Sequence, residues 1–268
     1  MIDYASNPAV NWSTLKYMRE SPMLYRYRLS VPREDTPALA LGRATHTLVF
    51  EPELFDEQYV IWEGGRRAGN AWSDFVDAHP DQTILRTEDA DQCAALAEAV
   101  RRHPLVQPYL RDGGEFERAI EWTDAQTGLR CKGRPDWLIP DRRILLDLKT
   151  CMSIDGRRFG AIAARFQYHA QLAMYRAGVA AALGWEPQRV LIVAVEKDAP
   201  YDVGVFELDQ DALYAGAEEV AELLRALKVC RETDTWPGRY TEEQALQLPA
   251  WMFTDDEEDP ESMGLITG

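Results

Sequence analysis

The order of apolar segments predicts an α/β fold: a central mixed β-sheet flanked by helices, with a helical N-terminal part. Three observations carry this. Helix-like apolar spacing fills much of residues 11–111. Three strand-like stretches joined by short turn clusters follow between 116 and 150. A helix–strand–strand–helix succession then runs from about 155 to 231. One domain is expected over 1–253, with the helical part at about 1–111 and the core at about 112–232; residues 254–268 form an acidic, disordered tail. At 268 residues and 46% hydrophobic composition, the chain can bury a sizeable core.

The elements follow in order. Residues 11–29 read as helix, with Asn11 or Ser13 as cap and a break at Ser21-Pro22, where proline suits the first turn of a second helix. Residues 38–52 read as a helix with small residues, Gly42 and Ala44, on one side. His46 sits in it among apolar neighbours, as a hydrogen-bonded core histidine more often does than a ligand. Residues 63–70 form a glycine-rich basic loop without a phosphate-loop lysine pattern. Helices are expected over 71–80 and 87–111. Strands are expected at 117–123, 129–139 and 143–150, consecutive and antiparallel. Helices at 155–166 and 166–183 follow, the second stopped by Gly184. Val190–Val195 is a continuous apolar run, as in a strand covered on both faces. A partner strand at 201–208 and a long helix at 209–231 complete the order. Residues 234–253 read as irregular, anchored by Trp236, Pro237, Pro249 and Trp251.

Composition excludes several classes. Met1 to Ala9 carries no signal pattern, and no apolar run approaches membrane-spanning length, so a cytoplasmic protein without membrane association is expected. Cys93, Cys131, Cys151 and Cys230 form no C-x-x-C pair, which disfavours a compact zinc or iron–sulfur site. The net charge of −16 opposes nucleic-acid binding on average, so any DNA path must be a local basic lining. Part of the excess is local, in Asp255-Asp256-Glu257-Glu258-Asp259. Basic residues gather at Lys16, Arg19, Arg26, Arg28 and Arg33, as a solvated face or a phosphate-contacting entrance.

The chemistry concentrates in Gly133-Arg134-Pro135-Asp136 and Leu146-Asp147-Leu148-Lys149-Thr150. Alternation along a strand points Asp147 and Lys149 one way and Ile144, Leu146 and Leu148 the other, into a core. A two-residue loop at Asp141-Arg142 places Asp136 directly across from Asp147, with Cβ atoms roughly 5 Å apart. A turn centred on Pro140-Asp141 makes them diagonal neighbours roughly 7–8 Å apart, still on one face. Two carboxylates that close repel unless something compensates, and a divalent cation does so directly. Lys149 beside it could orient or deprotonate water, or stabilise charge on a phosphate. Metal-assisted phosphodiester hydrolysis uses such parts. The plainer reading is a turn-preceding carboxylate and a strand-end Asp147–Lys149 salt bridge.

Pro135-Asp136, ten intervening residues, then Asp147-Leu148-Lys149 resembles the PD-(D/E)xK nuclease superfamily. Gly42-Arg43-Ala44-Thr45-His46, Glu117, Cys131 to Asp136, Asp147 to Thr150 and Tyr168 to Tyr175 occur in the order seen in RecE-type (exonuclease VIII) enzymes. The resemblance spans roughly 11–252 and implies a restriction-endonuclease-like core. It makes His46, Asp136 and Asp147 metal ligands, assisted by the Leu148 carbonyl. Lys149 would serve the nucleophilic water, and Glu117 would help the metal site, with Glu115 as the alternate. Tyr168, Gln171 and Tyr175, spaced i, i+3, i+7, would form a helix face beside the centre and contact DNA.

The implied activity is Mg²⁺-dependent (Mn²⁺ as alternative) digestion of linear duplex DNA from 5′ ends, leaving a 3′ strand for a single-strand annealing protein. The implied partners are DNA ends and further copies of the chain, in a homo-oligomeric ring with a tetramer favoured. Arg43, Arg66, Arg67, Arg134, Arg157, Arg158 and Arg165 are candidates for its basic bore. Ser21 stands where cluster-bearing relatives carry cysteine, so no iron–sulfur cluster is expected. The chain is expected to be the exonuclease core without the N-terminal extension some such proteins carry. An endonuclease with the same centre, or a non-catalytic end-binding protein, are the rival readings.

Overall fold

The computed structural model describes residues 4, 6–31, 36–249 and 252. The expected acidic tail, Arg33 and Trp251 lie outside them. Asn11 starts α1 (Trp12–Leu15) by accepting the Thr14 N–H, and a 3₁₀ turn over Lys16–Arg19 follows. Ser21 caps α2 (Pro22–Ser30), with Pro22 in the first turn where its missing N–H is harmless. Thr36 caps α3 (Pro37–Phe50) by accepting the Leu39 N–H. Gly42 on α3 faces Thr150, where a Cβ would make an ordinary contact at 3.9 Å from Oγ1.

The next segment differs from the expected all-helical one. After α4 (Phe55–Gln58), β1 (Tyr59–Trp62) pairs in parallel with β2 (Thr83–Arg86) across α5 (Asn70–Ala78). Four apolar residues ending a helical stretch cannot be told from helix by periodicity alone. The expected helix over 87–111 is two: α6 (Thr87–Arg102) and α7 (Gln107–Asp112). Pro104 disfavours the helical region for its predecessor, and His103 sits at φ −63°, ψ 128°.

The strands that build the centre are β3 (Glu115–Phe116), β4 (Ile120–Thr123), β5 (Arg130–Gly133), β6 (Trp137–Ile139) and β7 (Ile144–Cys151). Helices α8 (Gly156–Arg165) and α9 (Tyr168–Leu183) cross to β8 (Arg189–Glu196), then β9 (Val203–Glu207) and α10 (Gln210–Thr233). The main sheet has the order β3-β6-β7-β8-β9. Only its β7–β8 pair is parallel, as a helical crossover permits, so the sheet is mixed.

The strand expected over 129–139 is broken into β5 and β6, and the one expected over 117–123 starts only at Ile120, with the unexpected β3 before it. Between β3 and β4 the backbone turns at Glu117, which has φ +46°. Between β5 and β6 Pro135 cannot donate to a ladder. Past this break β4 and β5 pair with each other as a separate two-stranded sheet, and the hairpin folds away from the main sheet. Val10 runs beside it: its N–H donates to the Arg130 carbonyl and its carbonyl accepts from Lys132. The buried Lys132 ammonium donates to the Tyr4 and Asn7 carbonyls, each at 2.6 Å, and fastens this N-terminal stretch.

The sheet separates two apolar layers. Leu138, Leu145, Val190 and Ile192 pack with α9 and α10 residues such as Leu172, Val179 and Leu224. Trp137, Ile144, Leu146 and Leu148 pack with α3 and α6 residues such as Ala44, Val49 and Leu96. The hairpin docks on α9 through Trp122: a Cβ at Gly178 would come within 2.6 Å of its ring. Gly178→Ala is therefore expected to destabilise the protein by about 1–3 kcal/mol, as overpacking does. The measure is the urea midpoint at unchanged slope; an unaltered midpoint would mean that Trp122 is free to move aside.

Candidate active site

Asp136 lies one residue past the last β6–β7 pair, Trp137↔Leu146. Extending that register sets it across from Asp147, the direct arrangement and not the diagonal one. The turn that fixes this is a 3₁₀ turn over Pro140–Arg142 closed by Arg143 in the left-handed region at φ 54°, not a two-residue loop. Asp136 Oδ2 accepts the Leu148 N–H at 2.7 Å. The N–H and C=O of one strand residue leave the same edge, so the Leu148 carbonyl is turned to that side as well. The alternation expected along β7 is present: Leu145 belongs to the α9–α10 layer and Ile144, Leu146 and Leu148 to the α3–α6 layer.

The break in the two strands brings in further groups. His46, on the third turn of α3, has Nδ1 3.4 Å from Asp136 Oδ2 and 4.0 Å from Glu117 Oε1. Its ring meets Phe50 edge-on at 6.0 Å. Glu117 is held from the other side by Arg134, Nε to Oε2 at 2.9 Å, and Arg134 lies over the Tyr4 ring. Glu115 turns to Arg118 instead, so Glu117 and not Glu115 meets the centre.

Lys149 enters from β7. Its ammonium is 2.6 Å from Asp147 Oδ2. It also donates to Gln171 Oε1 at 3.3 Å and stands 4.9 Å over the Tyr168 ring. Gln171 donates in turn to the Tyr175 hydroxyl.

Electrostatics follow from burial. Burial drives the Asp147 carboxyl up, Asp136 adds to that and Lys149 opposes it, leaving it at about 6. Asp136 is also raised, by burial first, with His46 opposing and Glu117 adding. Burial alone would lower His46, but Asp136 and Glu117 outweigh it and the net shift is upward. Lys149 behaves likewise: burial disfavours its charge, yet Asp147 and Asp136 hold the ammonium protonated above its ordinary value.

These residues fit a divalent cation. Among the described residues, ligand atoms of His46, Glu117 and Asp136 lie within 4.8 Å of one another. Octahedral ligands at about 2.1 Å from a metal stand roughly 3–4 Å apart, close to the spacings found here. Asp147 Oδ1 has no hydrogen-bond partner despite full burial, and Oδ2 meets only the Lys149 ammonium. A buried carboxylate with one oxygen left over beside such a group is what a cation would satisfy.

Residues 11–247 match the model of a PDDEXK-like domain of unknown function (DUF3799). The chain belongs to this family. Its PDDEXK-like fold is shared with a "Putative exonuclease" of Eubacterium rectale, at 14% identity over 91% of each chain with a TM-score of 0.60. A phage related exonuclease of Haemophilus somnus 129PT aligns over 85% of this chain and 96% of its own at 12% identity, with a TM-score of 0.36. No curated protein matched the chain.

The other sequence candidates are distributed unevenly about this PDDEXK-like centre. Arg134 belongs to it through Glu117, and Arg43 is exposed on α3 one turn before His46. Arg165 ends α8 two residues before the turn into α9. Arg66 and Arg67 are not brought to it. They lie on the β1–α5 loop, and Arg67 donates to the Ile84 carbonyl and packs on Trp72, a structural role. Tyr175 is corrected as a DNA contact: it is 9% exposed, with its ring against Gly133, so it supports Gln171 from beneath. A buried Lys132 and a Glu117 at positive φ were not singled out from sequence for these placements; Pro135, inside the strand expected over 129–139, is the one residue whose chemistry could have signalled the break.

Two expectations follow for metal binding. Folded pKa values raised above the unfolded ones mean that His46, Asp136 and Asp147 stabilise the metal-free protein fully at low pH. That contribution is lost as pH rises through the folded values, about 6 for Asp147. A metal must displace these protons, so the rise in Tm caused by Mn²⁺ is expected to be small near about pH 5 and large near about pH 8. Equal shifts at both would contradict this site. His46→Ala is expected to weaken calorimetric Mn²⁺ binding by at least about tenfold, and unchanged affinity would return His46 to a packing role.

Proposed function

We propose that the chain is a metal-dependent exodeoxyribonuclease that digests linear duplex DNA from 5′ ends and leaves 3′ single strands for annealing. The observation that carries this reading is the convergence of Asp136, Asp147 and Lys149 on adjacent strands with His46 and Glu117 at a break in the sheet. The in-order motifs shared with RecE-type enzymes support the exonuclease form of it.

In this reading His46, Asp136 and Asp147 hold Mg²⁺ or Mn²⁺, with the Leu148 carbonyl and Glu117 assisting. The cation supplies Lewis acidity to the phosphodiester and to the attacking water. Lys149 keeps its proton at Nζ because two carboxylates face it. That suits it to orient the water and to stabilise charge gathering on phosphate oxygens, and not to take a proton. Gln171 fixes the Lys149 ammonium from α9, and Tyr175 fixes Gln171. Arg134, half exposed at the rim, holds Glu117 and offers a guanidinium to a backbone phosphate.

The net charge of −16 sets a condition on how DNA is engaged. Binding must depend on a local basic surface, and a ring with an acidic outside and a basic bore meets that condition. A tetrameric assembly and a single-strand annealing partner belong to this reading.

With Mg²⁺ at low salt, linear duplex is expected to be consumed while covalently closed plasmid survives; end-labelled duplex should lose its 5′ label first. Untouched linear DNA would overturn the nuclease reading, and a nicked or cut closed plasmid would replace it with endonuclease action. Asp136→Ala, Asp147→Ala and Lys149→Ala should each lower turnover by at least about 10²-fold with the circular-dichroism spectrum unchanged. Full activity in any of them would remove that residue from the mechanism.

A further inference from the structure

A cleft of about 610 Å³ opens where the 3₁₀ turn at Lys16–Arg19 faces the α8–α9 junction. Lys16, Arg19, Arg165 and Arg239 line it, together with Phe166 and Gln167. Glu20, also in the lining, pairs with Arg239 at 2.9 Å, and Glu219 with Arg19 at 3.7 Å and His169 at 3.4 Å, so four cations stand against two carboxylates. The excess of cations is local, in a chain whose sum is strongly negative.

The floor is built and its aromatic is displayed. Gln167 adopts φ 59°, left-handed for a non-glycine residue, and is buried with its amide on Glu219. That turn throws Phe166 outward, where it is 58% exposed. Its ring stacks on Tyr168 at 6.0 Å and 17°, and the Lys149 ammonium stands 4.9 Å from the far partner of that pair. The two steps bound the Phe166 ring within about 11 Å of Lys149 Nζ, about three base steps at roughly 3.4 Å per nucleotide.

An exposed ring beside several cations is the pattern that holds one strand of nucleic acid: bases stack on the ring and phosphates meet the cations. An aliphatic or anionic small ligand would use one half of this set and leave the other idle. We propose that this cleft is a single-strand subsite, in which Phe166 stacks a base of the strand running to the centre and Arg165, Arg19 and Lys16 meet its phosphates. The proposal rests on the nuclease reading, and specifies where the strand lies next to the scissile bond.

The test uses the full chain in excess chelator, so that binding is read without cleavage. Anisotropy of a fluorescein-labelled oligo-deoxythymidine is titrated at several salt concentrations. Phe166→Ala is expected to weaken binding by about tenfold, with Phe166→Trp retaining it and its indole fluorescence quenched by the oligonucleotide. Arg165→Ala is expected to weaken binding and reduce the salt slope by about 0.7. Lys228→Ala, which removes one positive charge that is not among the cleft-lining residues and is paired with Glu232, is the control. Phe166→Ala and Arg165→Ala both binding like this control would overturn the subsite. Mg²⁺-dependent digestion of linear duplex by the wild-type chain is followed in parallel. Digestion with no dependence of binding on Phe166 or Arg165 defeats the subsite alone. Absence of digestion defeats the nuclease reading on which the subsite rests.

Discussion

The bond from the Leu148 N–H to Asp136 Oδ2 ties two strands together at the point where their ladder ends. A carboxylate in place of a ladder carbonyl leaves Asp136 buried beside Asp147, with the hydrogen-bonding edge of β7 open above Leu146. Everything around the pair answers the charge this creates. Lys149 approaches from the same strand, His46 from α3, and Glu117 with Arg134 from the broken hairpin. Three carboxylates against one ammonium and one guanidinium, with a neutral imidazole, leave one negative charge in a water-poor space, to be met by a proton or a cation. The upward shifts of Asp136, Asp147 and His46 record that imbalance.

Helices complete what the strands begin. α3 packs on the side of the sheet that carries Leu146 and Leu148, which brings His46 to the strand ends. α9 covers the opposite side and directs Gln171 to Lys149. The centre is thus reached from both layers, at the one level where the sheet narrows and stops being continuous. The mixed topology contributes here: the parallel β7–β8 pair needs a crossover, and α8, α9 and the turn between them, which make it, also carry Phe166, Tyr168 and Gln171.

Much of the centre was legible in sequence because short-range rules govern it. Alternation set Asp147 and Lys149 against Ile144, Leu146 and Leu148, and a short turn set the partner of Asp147 within narrow limits. The residual choice of register was decided by a left-handed Arg143, which no residue preference announces. The division of the 129–139 strand and the separate β3 before Glu117 were less accessible. Pro135 was visible, but Glu117 at positive φ was not, since glutamate gives no sign of that conformation. β1 and β2 escaped notice because each is four residues long and they meet through a parallel crossover. Tyr175 shared a helical face with Gln171 and Tyr168, yet spacing cannot say how deep a face lies; the close pass of Gly133 settles that.

The reach from His46 to Asp136 has a thermodynamic side. Asp136 and Asp147 close a short hairpin loop, whereas His46 joins them from a helix far upstream. The longer loop is roughly eight times the shorter one, and by chain-closure entropy that difference is only about 2 kcal/mol. Ordering α3 against the sheet already meets that requirement through Ala44, Val49 and Phe50, all buried. The imidazole therefore arrives at the carboxylates as a passenger on apolar packing. Loosening of the α3 layer would release it long before the hairpin itself comes apart.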